Sequence, residues 1–317
     1  MPLSSFAPVQ SLFAKPILLL FLTTLFWAGN TIAGRLAVGE VSPLAVVFLR
    51  WVAVSGLMVA LYGRQVRAEW PILKAHLPVM ILMGIFGFTA FNSLFYIAAH
   101  STTALNLGII QGSMPMFVLL GALVILRTPI RAVQAIGVAI TMAGVVFIAS
   151  QGDLSRLTEL EINPGDGLMI LACLLYSLYA VLLRNRPAVS GMVFFTVLSV
   201  VAAITSVPVF LVELWQGATQ MPTAKGWLIV AYISVFPSFL SQIFFMRGVD
   251  LIGPGRAGVF INLVPILSSI LAVGLLGEPF HFYHAAALAL VLVGIALSER
   301  KSAASRAGAS APGGGAQ

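Results

Sequence analysis

Amide and aromatic side chains recur at helical spacing within long apolar stretches of this 317-residue sequence. Asn92 and Tyr96, for example, are four residues apart and therefore share one face of a helix. Amides hydrogen-bond and aromatic rings stack, so such residues are suited to binding a partly polar ligand rather than to attacking one. The candidate binding residues are Trp27, Asn30, Asn92, Tyr96, Gln111, Tyr176, Tyr179, Ser238, Gln242 and Asn262.

Arg50 is the one charged residue well inside an apolar stretch. A buried arginine is costly unless it is paired or hydrated, so Arg50 is a candidate functional residue. The sequence pattern places no Asp or Glu at a comparable depth. Two roles therefore stay open: Arg50 either clamps backbone carbonyls or binds a carboxylate of the ligand.

Two prolines, Pro115 and Pro265, lie near the middle of apolar stretches, and each follows a glycine-containing turn. A proline inside a helix frees a carbonyl and bends the helix. We interpret both as hinge or gating positions, with a static kink as the alternative.

Several kinds of chemistry lack the residues they need. Gln111-Gly112-Ser113-Met114-Pro115 has no GxSxG elbow, no GxxxxGK[ST] nucleotide loop occurs, and Cys173 is the single cysteine. The histidines lie near the ends of the apolar stretches, and no acid is predicted to be buried as a proton relay. The net charge of +7 is scattered rather than gathered into a patch. We therefore predict no enzyme, cofactor, metal, nucleotide or nucleic-acid partner.

The elements that position the candidate residues are predicted to be transmembrane helices. Hydrophobic residues make up 60% of the sequence and charged residues 9%, and a crossing needs about 20 apolar residues. Backbone groups in a bilayer must be paired within their own segment, which requires helices. Ten segments are predicted, at about 16–38, 42–63, 76–98, 102–126, 130–150, 165–184, 190–214, 225–247, 253–276 and 280–299.

Basic residues are distributed unequally between the two ends of these segments. Thirteen Lys or Arg residues lie on the side of the termini and three on the opposite side. The positive-inside rule then predicts that both termini are cytoplasmic. The three opposite residues are Arg35, Arg156 and Lys225.

An internal repeat appears when the sequence is shifted against itself by 150 residues. The shift brings Gly108 onto Gly258 and Pro115 onto Pro265, and it superimposes segment boundaries. Each repeat holds five segments, and an odd number forces the second repeat into the membrane upside down. Inverted repeats around a pathway are typical of secondary transporters. The predicted regions are a short N-terminus 1–15, a first repeat 16–150, a periplasmic loop 151–164, a second repeat 165–300 and a disordered tail 301–317.

The candidate binding residues fall on matching segments of the two repeats. Segments 1, 3 and 4 map onto 6, 8 and 9, and Asn92 falls on Gln242. We predict an all-α polytopic membrane protein, with ten transmembrane helices as two inverted five-helix repeats around a central cavity lined by these six segments. Segments 5 and 10 are predicted to pack outside them. The alternative is that the amides only join helices, each such bond contributing about 0.6 kcal/mol.

Three short motifs resemble a known family. They are Phe26-Trp27-Ala28-Gly29-Asn30, the stretch Pro43 to Arg50, and Leu276-Gly277-Glu278-Pro279. Together with the ten segments they resemble the drug/metabolite transporter superfamily in its ten-helix EamA type, over about residues 16–300. The pattern is most similar to the YddG-type amino-acid exporters.

The resemblance implies a multi-pass protein of the bacterial inner membrane that exports neutral amino acids, aromatic and apolar ones included, by alternating access. A neutral, aromatic and amide-rich pocket suits a zwitterion with an apolar side chain. The alternative is an exporter of drugs or other metabolites. The expected partners are a small-molecule substrate and the lipid bilayer, and the sequence is compatible with a monomer.

Overall fold

A computed structural model describes residues 13–153 and 163–309, and these residues form helices with short connections. Within these described ranges, nine helices are long and apolar enough to span a membrane, and Phe282–Ser298 is a shorter tenth segment. The all-helical fold class is thereby confirmed. The helices are α1 Pro16–Leu36, α2 Pro43–Ala68, α3 Leu77–Ala98, α4 Ala104–Leu126, α5 Ala132–Ala149, α6 Pro164–Asn185, α7 Gly191–Trp215, α8 Ala224–Ile252, α9 Pro254–Leu276 and α10 Phe282–Ala309, with a short helix Trp70–Ala75 after α2.

Prolines and left-handed residues define several helix ends. Pro16, Pro43 and Pro164 each lie in the first turn of a helix, where a missing N–H costs nothing. Helices α4 and α9 end at matched left-handed residues, Arg127 with φ 51° and Gly277 with φ 66°. The two positions are 150 residues apart, so the repeat extends to the caps.

Four helices are interrupted, and the interruptions also match under the 150-residue shift. Helix α3 contains a π-helical segment at Ile85–Ala90, and α8 contains one at Ser234–Leu240. Helix α4 is broken into α4a, Ala104–Gln111, and α4b, Met114–Leu126; α9 is broken into α9a, Pro254–Ile261, and α9b, Leu263–Leu276. The hydrophobic periodicity of the sequence does not predict the π-segments, because each needs only one additional residue in an otherwise regular pattern.

Helix packing follows a pseudo-twofold relation. Helix α1 packs on α8 and α9, and its repeat equivalent α6 packs on α3 and α4. Helix α2 packs on α7, and α5 packs on α10. The α5–α10 contact is close because Gly294 lies against Thr141 and the Gly137 carbonyl, which leaves no room for a side chain. The pair α5 and α10 also touches α4a.

The C-terminal end differs from the prediction. Helix α10 continues to Ala309, whereas a disordered tail was predicted from residue 301. Ala303, Ala304 and Ala307 explain the difference, because alanine has the highest helix propensity. Residues 1–12, 154–162 and 310–317 lie outside the described residues, and so do most of the predicted N-terminus and periplasmic loop.

Candidate functional site

A buried hydrogen-bond network around Arg50 joins helices α1, α2 and α3. Arg50 is 6% exposed, and its Nη1 donates to Asn92 Oδ1 (2.7 Å) and to Tyr96 Oη (2.9 Å). Tyr96 Oη in turn donates to Asn30 Oδ1 (2.7 Å), and Asn92 Nδ2 donates to the Phe88 carbonyl (2.5 Å). Three predicted binding residues are thus brought together, and their polar groups position the arginine.

The guanidinium of Arg50 keeps unused hydrogen-bonding capacity. It carries five N–H donors, both protein bonds come from Nη1, and Nε has no partner among the described residues. The ion pairs of the described chain, Arg35–Glu278 and Lys225–Glu40, do not include Arg50. A buried cation without a carboxylate partner is costly inside a membrane, so the site is electrostatically incomplete.

Aromatic rings surround this arginine on one side. The Arg50 guanidinium carbon lies 5.0 Å from the Trp51 ring centroid, and Trp51 meets Phe88 edge-on at 4.9 Å. Phe88 then contacts Tyr179 at 5.5 Å, and Tyr179 contacts Tyr176 at 5.2 Å. Helices α2, α3 and α6 therefore form a continuous aromatic wall beside the cation.

Sequence patterns could not identify Trp51 as part of this wall. It is buried inside an apolar stretch, where a core role is the default. Its indole N–H has no hydrogen-bond partner among the described residues, an arrangement that a core tryptophan usually avoids.

Four other predicted binding residues come from α1, α4, α8 and α9. Gln111 and Gln242 are half-buried, and their side chains make no hydrogen bond to the described part of the chain. Trp27 is half-buried and contacts Phe245 at 5.5 Å between ring centroids. Asn262 occupies the break between α9a and α9b and has an interaction of its own.

Ser238 and the two prolines differ from the simplest expectation. The Ser238 hydroxyl is 1% exposed and donates to the Ile233 carbonyl (2.6 Å), so it satisfies its own π-segment. Pro115 and Pro265 lie in the first turn of α4b and α9b rather than inside a continuous helix. The helix breaks at Gly112–Ser113 and at Asn262 supply the interruption that was attributed to the prolines.

Two carboxylates, the buried Glu213 and the partly buried Glu278, cap helices at the membrane face opposite the termini. We call this the acidic face, and the face that carries Arg64, Arg67, Arg184 and Arg186 the basic face. Glu278 accepts from the Ala104 and Leu105 N–H groups (2.8 and 2.9 Å) at the start of α4a. Glu213 accepts from the Ser42 hydroxyl (2.6 Å) and from two N–H groups at the start of α2. Each carboxylate joins helices from different repeats.

Asp166 is a third acid at this face, and its burial departs from the expectation that no Asp or Glu lies buried as a proton relay. It is fully buried at the start of α6, where Thr102 Oγ1 (2.5 Å) and Asn106 Nδ2 (3.0 Å) donate to it. Glu213 is 6% exposed and corrects the same expectation. Both acids lie near helix ends, where N–H groups and hydroxyls solvate them, so neither interrupts an apolar stretch.

Connections at the acidic face are held by further polar contacts. Glu40 accepts from Thr223 Oγ1 and from Lys225 Nζ (3.1 Å). The hydrogen bond from Thr223, followed by that from Lys225, lowers the pKa of Glu40 below its ordinary value, so the carboxylate stays charged at physiological pH. Burial lowers the pKa of His100, with a further contribution from Arg35, which keeps that imidazole neutral near pH 7.

The two ends of the pathway are not equivalent. Helix α4a packs along α9b at the acidic face, whereas among the described residues α4b and α9a form no comparable contact at the basic face. Gly108 is pressed against Ser268, but its repeat equivalent Gly258 has open space where a Cβ would lie. Gly112 also lies against a residue of α9b, Pro265. The arrangement is therefore closed toward the acidic face and open toward the basic face.

A family comparison agrees with this two-repeat architecture. The sequence profile of the EamA-like transporter family matches residues 14–150 and again residues 163–300. The chain belongs to the EamA-like transporter family. The two matches begin and end within a few residues of the repeats recognised from the 150-residue shift.

Similar proteins carry transporter names. "Uncharacterized transporter YyaM" of Bacillus subtilis is 26% identical over 68% of this chain and 70% of its own length. An "uncharacterized transporter" of Archaeoglobus fulgidus is 27% identical over 91% and 98%, and "uncharacterized inner membrane transporter YedA" of Escherichia coli is 22% identical over 88% of each chain. A protein of known crystal structure is 19% identical with a TM-score of 0.61, covering 89% of this chain and 96% of that one, which supports the fold. The EamA-like chain is thus a multi-pass membrane transporter of a small molecule.

Proposed function

We propose that this EamA-like protein exports neutral amino acids with aromatic or other apolar side chains, as the YddG-type exporters do. The observation that carries the proposal is Arg50, a buried cation with unused N–H donors and no carboxylate partner among the described residues. A substrate carboxylate would complete it with charge-assisted hydrogen bonds, which are stronger than neutral ones.

The other candidate binding groups fit the rest of such a substrate. The aromatic wall formed by Trp51, Phe88 and Tyr179 lies beside the guanidinium and would receive an apolar side chain. The free amides of Gln111 and Gln242 offer carbonyl oxygens to an ammonium group. Trp27, Tyr176 and Asn262 are proposed to complete the lining, with Asn30, Asn92 and Tyr96 holding Arg50 in place.

Alternating access is supported by the inequality of the two ends. The closed α4a–α9b contact and the open α4b–α9a region are equivalent under the pseudo-twofold relation. Exchanging the two arrangements would close the basic face and open the acidic one, as expected for inverted repeats. The helix breaks in α4 and α9 are the proposed hinges.

We propose that the basic face is cytoplasmic in a bacterial inner membrane, with both termini on that side. The thirteen-to-three distribution of Lys and Arg supports this orientation. A periplasmically active reporter is expected to work when fused after Gln151 and to stay inactive after Arg64 or Lys301. The reverse result at any one of these sites contradicts the orientation.

The substrate proposal is tested by counterflow in liposomes that contain the purified protein. Labelled phenylalanine is expected to exchange against unlabelled phenylalanine, methionine or threonine without ATP. Flux of a cationic dye, combined with no flux or competition by these amino acids, would instead establish the drug-exporter alternative.

A matched pair of variants localises that activity. Gln242→Leu is expected to reduce phenylalanine counterflow about fivefold, because one hydrogen bond to the substrate contributes roughly 1 kcal/mol. Gln216→Leu changes an exposed glutamine in the connection after α7 and is expected to leave counterflow unchanged. Equal activity in the two variants excludes Gln242 from the lining.

A further inference from the structure

A large groove lies outside the candidate pathway, on the surface formed by the basic-face halves of α2, α3 and α7. Its volume is about 1060 Å³, which is at or above the upper end of the roughly 300–1,000 Å³ that small-molecule sites occupy. None of the candidate binding residues lines it. The groove is therefore separate from the proposed substrate site.

The end of the groove nearer the membrane centre is apolar. Val59 and Ile204 are exposed aliphatic residues on its walls. The two threonines that also line it do not offer free hydroxyls, because Thr196 Oγ1 donates to the Met192 carbonyl (2.7 Å) and Thr205 Oγ1 donates to the Val201 carbonyl (2.8 Å). This surface suits acyl chains and offers little to a polar solute.

The outer end of the groove is cationic. Arg64 and Arg67 are exposed, lie three residues apart on α2 and both line the groove, so they project from neighbouring positions on one helix face. Neither forms an ion pair within the described chain, although Glu69 follows closely. Trp70, 45% exposed, lies beside them, at the depth where tryptophan favours the membrane interface.

The distance between the two ends matches a lipid. Val59 and Arg67 are eight residues apart on α2, which is about 12 Å along a helix axis. The groove thus runs from a cationic, tryptophan-flanked mouth into an apolar interior along the membrane normal. We propose that it binds one anionic phospholipid, with the phosphate group on Arg64 and Arg67 and an acyl chain along α2 and α7.

Native mass spectrometry of the full-length protein tests this proposal, which does not depend on the substrate. Phosphatidylglycerol is expected to bind one to one and more tightly than phosphatidylethanolamine. The double variant R64Q/R67Q is expected to weaken phosphatidylglycerol binding about twenty-five-fold, since each arginine near an anionic headgroup contributes about fivefold. The control R184Q/R186Q removes the same charge from exposed arginines of the same face outside the groove and is expected to change nothing.

A second variant separates the groove from general surface charge. Ile204→Trp fills the apolar interior and is expected to reduce phosphatidylglycerol binding, whereas Leu228→Trp changes an exposed residue of α8 and is expected to have no effect. Equal weakening in both arginine double variants, or equal binding of the two phospholipids, overturns the proposal. Displacement of the phospholipid by inorganic phosphate alone also overturns it, because the site would then be a phosphate site.

Discussion

Arg50→Gln is expected to lower counterflow of phenylalanine about a hundredfold. The variant removes the one buried cation of the network and leaves a substrate carboxylate with neutral donors only. A hydrogen bond to a charged group contributes about 1.5–3 kcal/mol, and about 3 kcal/mol corresponds to a factor of about 150. Arg50→Lys keeps the charge but loses the planar fork of donors, so an intermediate loss of about tenfold is expected.

The choice of substrate distinguishes a ligand role from a clamp role. Phenylalaninamide lacks the carboxylate, so its competition should be weak in the wild type and unchanged in Arg50→Gln. Asn92→Ala is the matched control, because it removes one acceptor of Arg50 and keeps the cation; a smaller loss that is shared by all substrates is expected. If Arg50→Gln reduces phenylalanine counterflow and phenylalaninamide competition equally, and thermal stability falls in proportion, Arg50 is a structural clamp.

Gly108→Val and Gly258→Val are each expected to abolish counterflow. The first variant disfavours the present conformation, and the second disfavours the alternate one. A side chain at Gly108 collides with Ser268, so valine there disrupts the contact that closes the acidic face. Overpacking costs about 1–3 kcal/mol. A side chain at Gly258 has open space in the present conformation, but the pseudo-twofold relation requires this position to close in the alternate one.

Thiol accessibility separates these two outcomes. Ala272 is buried on α9b near the closed end, and Cys173 is buried as well, so Ala272→Cys can be probed in a Cys173→Ala background. Labelling of that cysteine from the acidic face by an impermeant reagent is expected to rise about tenfold with Gly108→Val and to stay low with Gly258→Val. Wild-type counterflow in Gly258→Val would show that the two repeats do not exchange arrangements.

The fold was predictable from sequence because its main determinants are local. Runs of about 20 apolar residues specify each crossing, and the matched glycines and prolines specify the repeat. The matched glycine Gly108 and the nearby Gly112 lie against Ser268 and Pro265, where a larger side chain would not fit. The confirmed conclusions are the fold class, membership of the EamA-like family and a transporter role.

The polar contacts were less predictable because they depend on partners distant in sequence. Asn92 and Tyr96 were identified as binding residues by their shared face, yet their principal partner is Arg50, which is more than 40 residues away. Glu278 entered the sequence analysis only as part of a short motif, and only the fold shows that it caps α4a, more than 170 residues away. The alternatives for Arg50 remained open for the same reason.

The matched π-segments of α3 and α8 have a consequence for insertion and deletion. A π-turn contains one residue more than the corresponding α-turn, so the two ends of α3 are out of phase by about 100°, the rotation per residue of an α-helix. Because Ile85–Ala90 and Ser234–Leu240 share this offset, the halves of the protein stay in phase with each other. Loss of one residue from a single π-segment would rotate all side chains in the rest of that helix to another face. Alignments of the two halves should therefore place their gaps outside both segments.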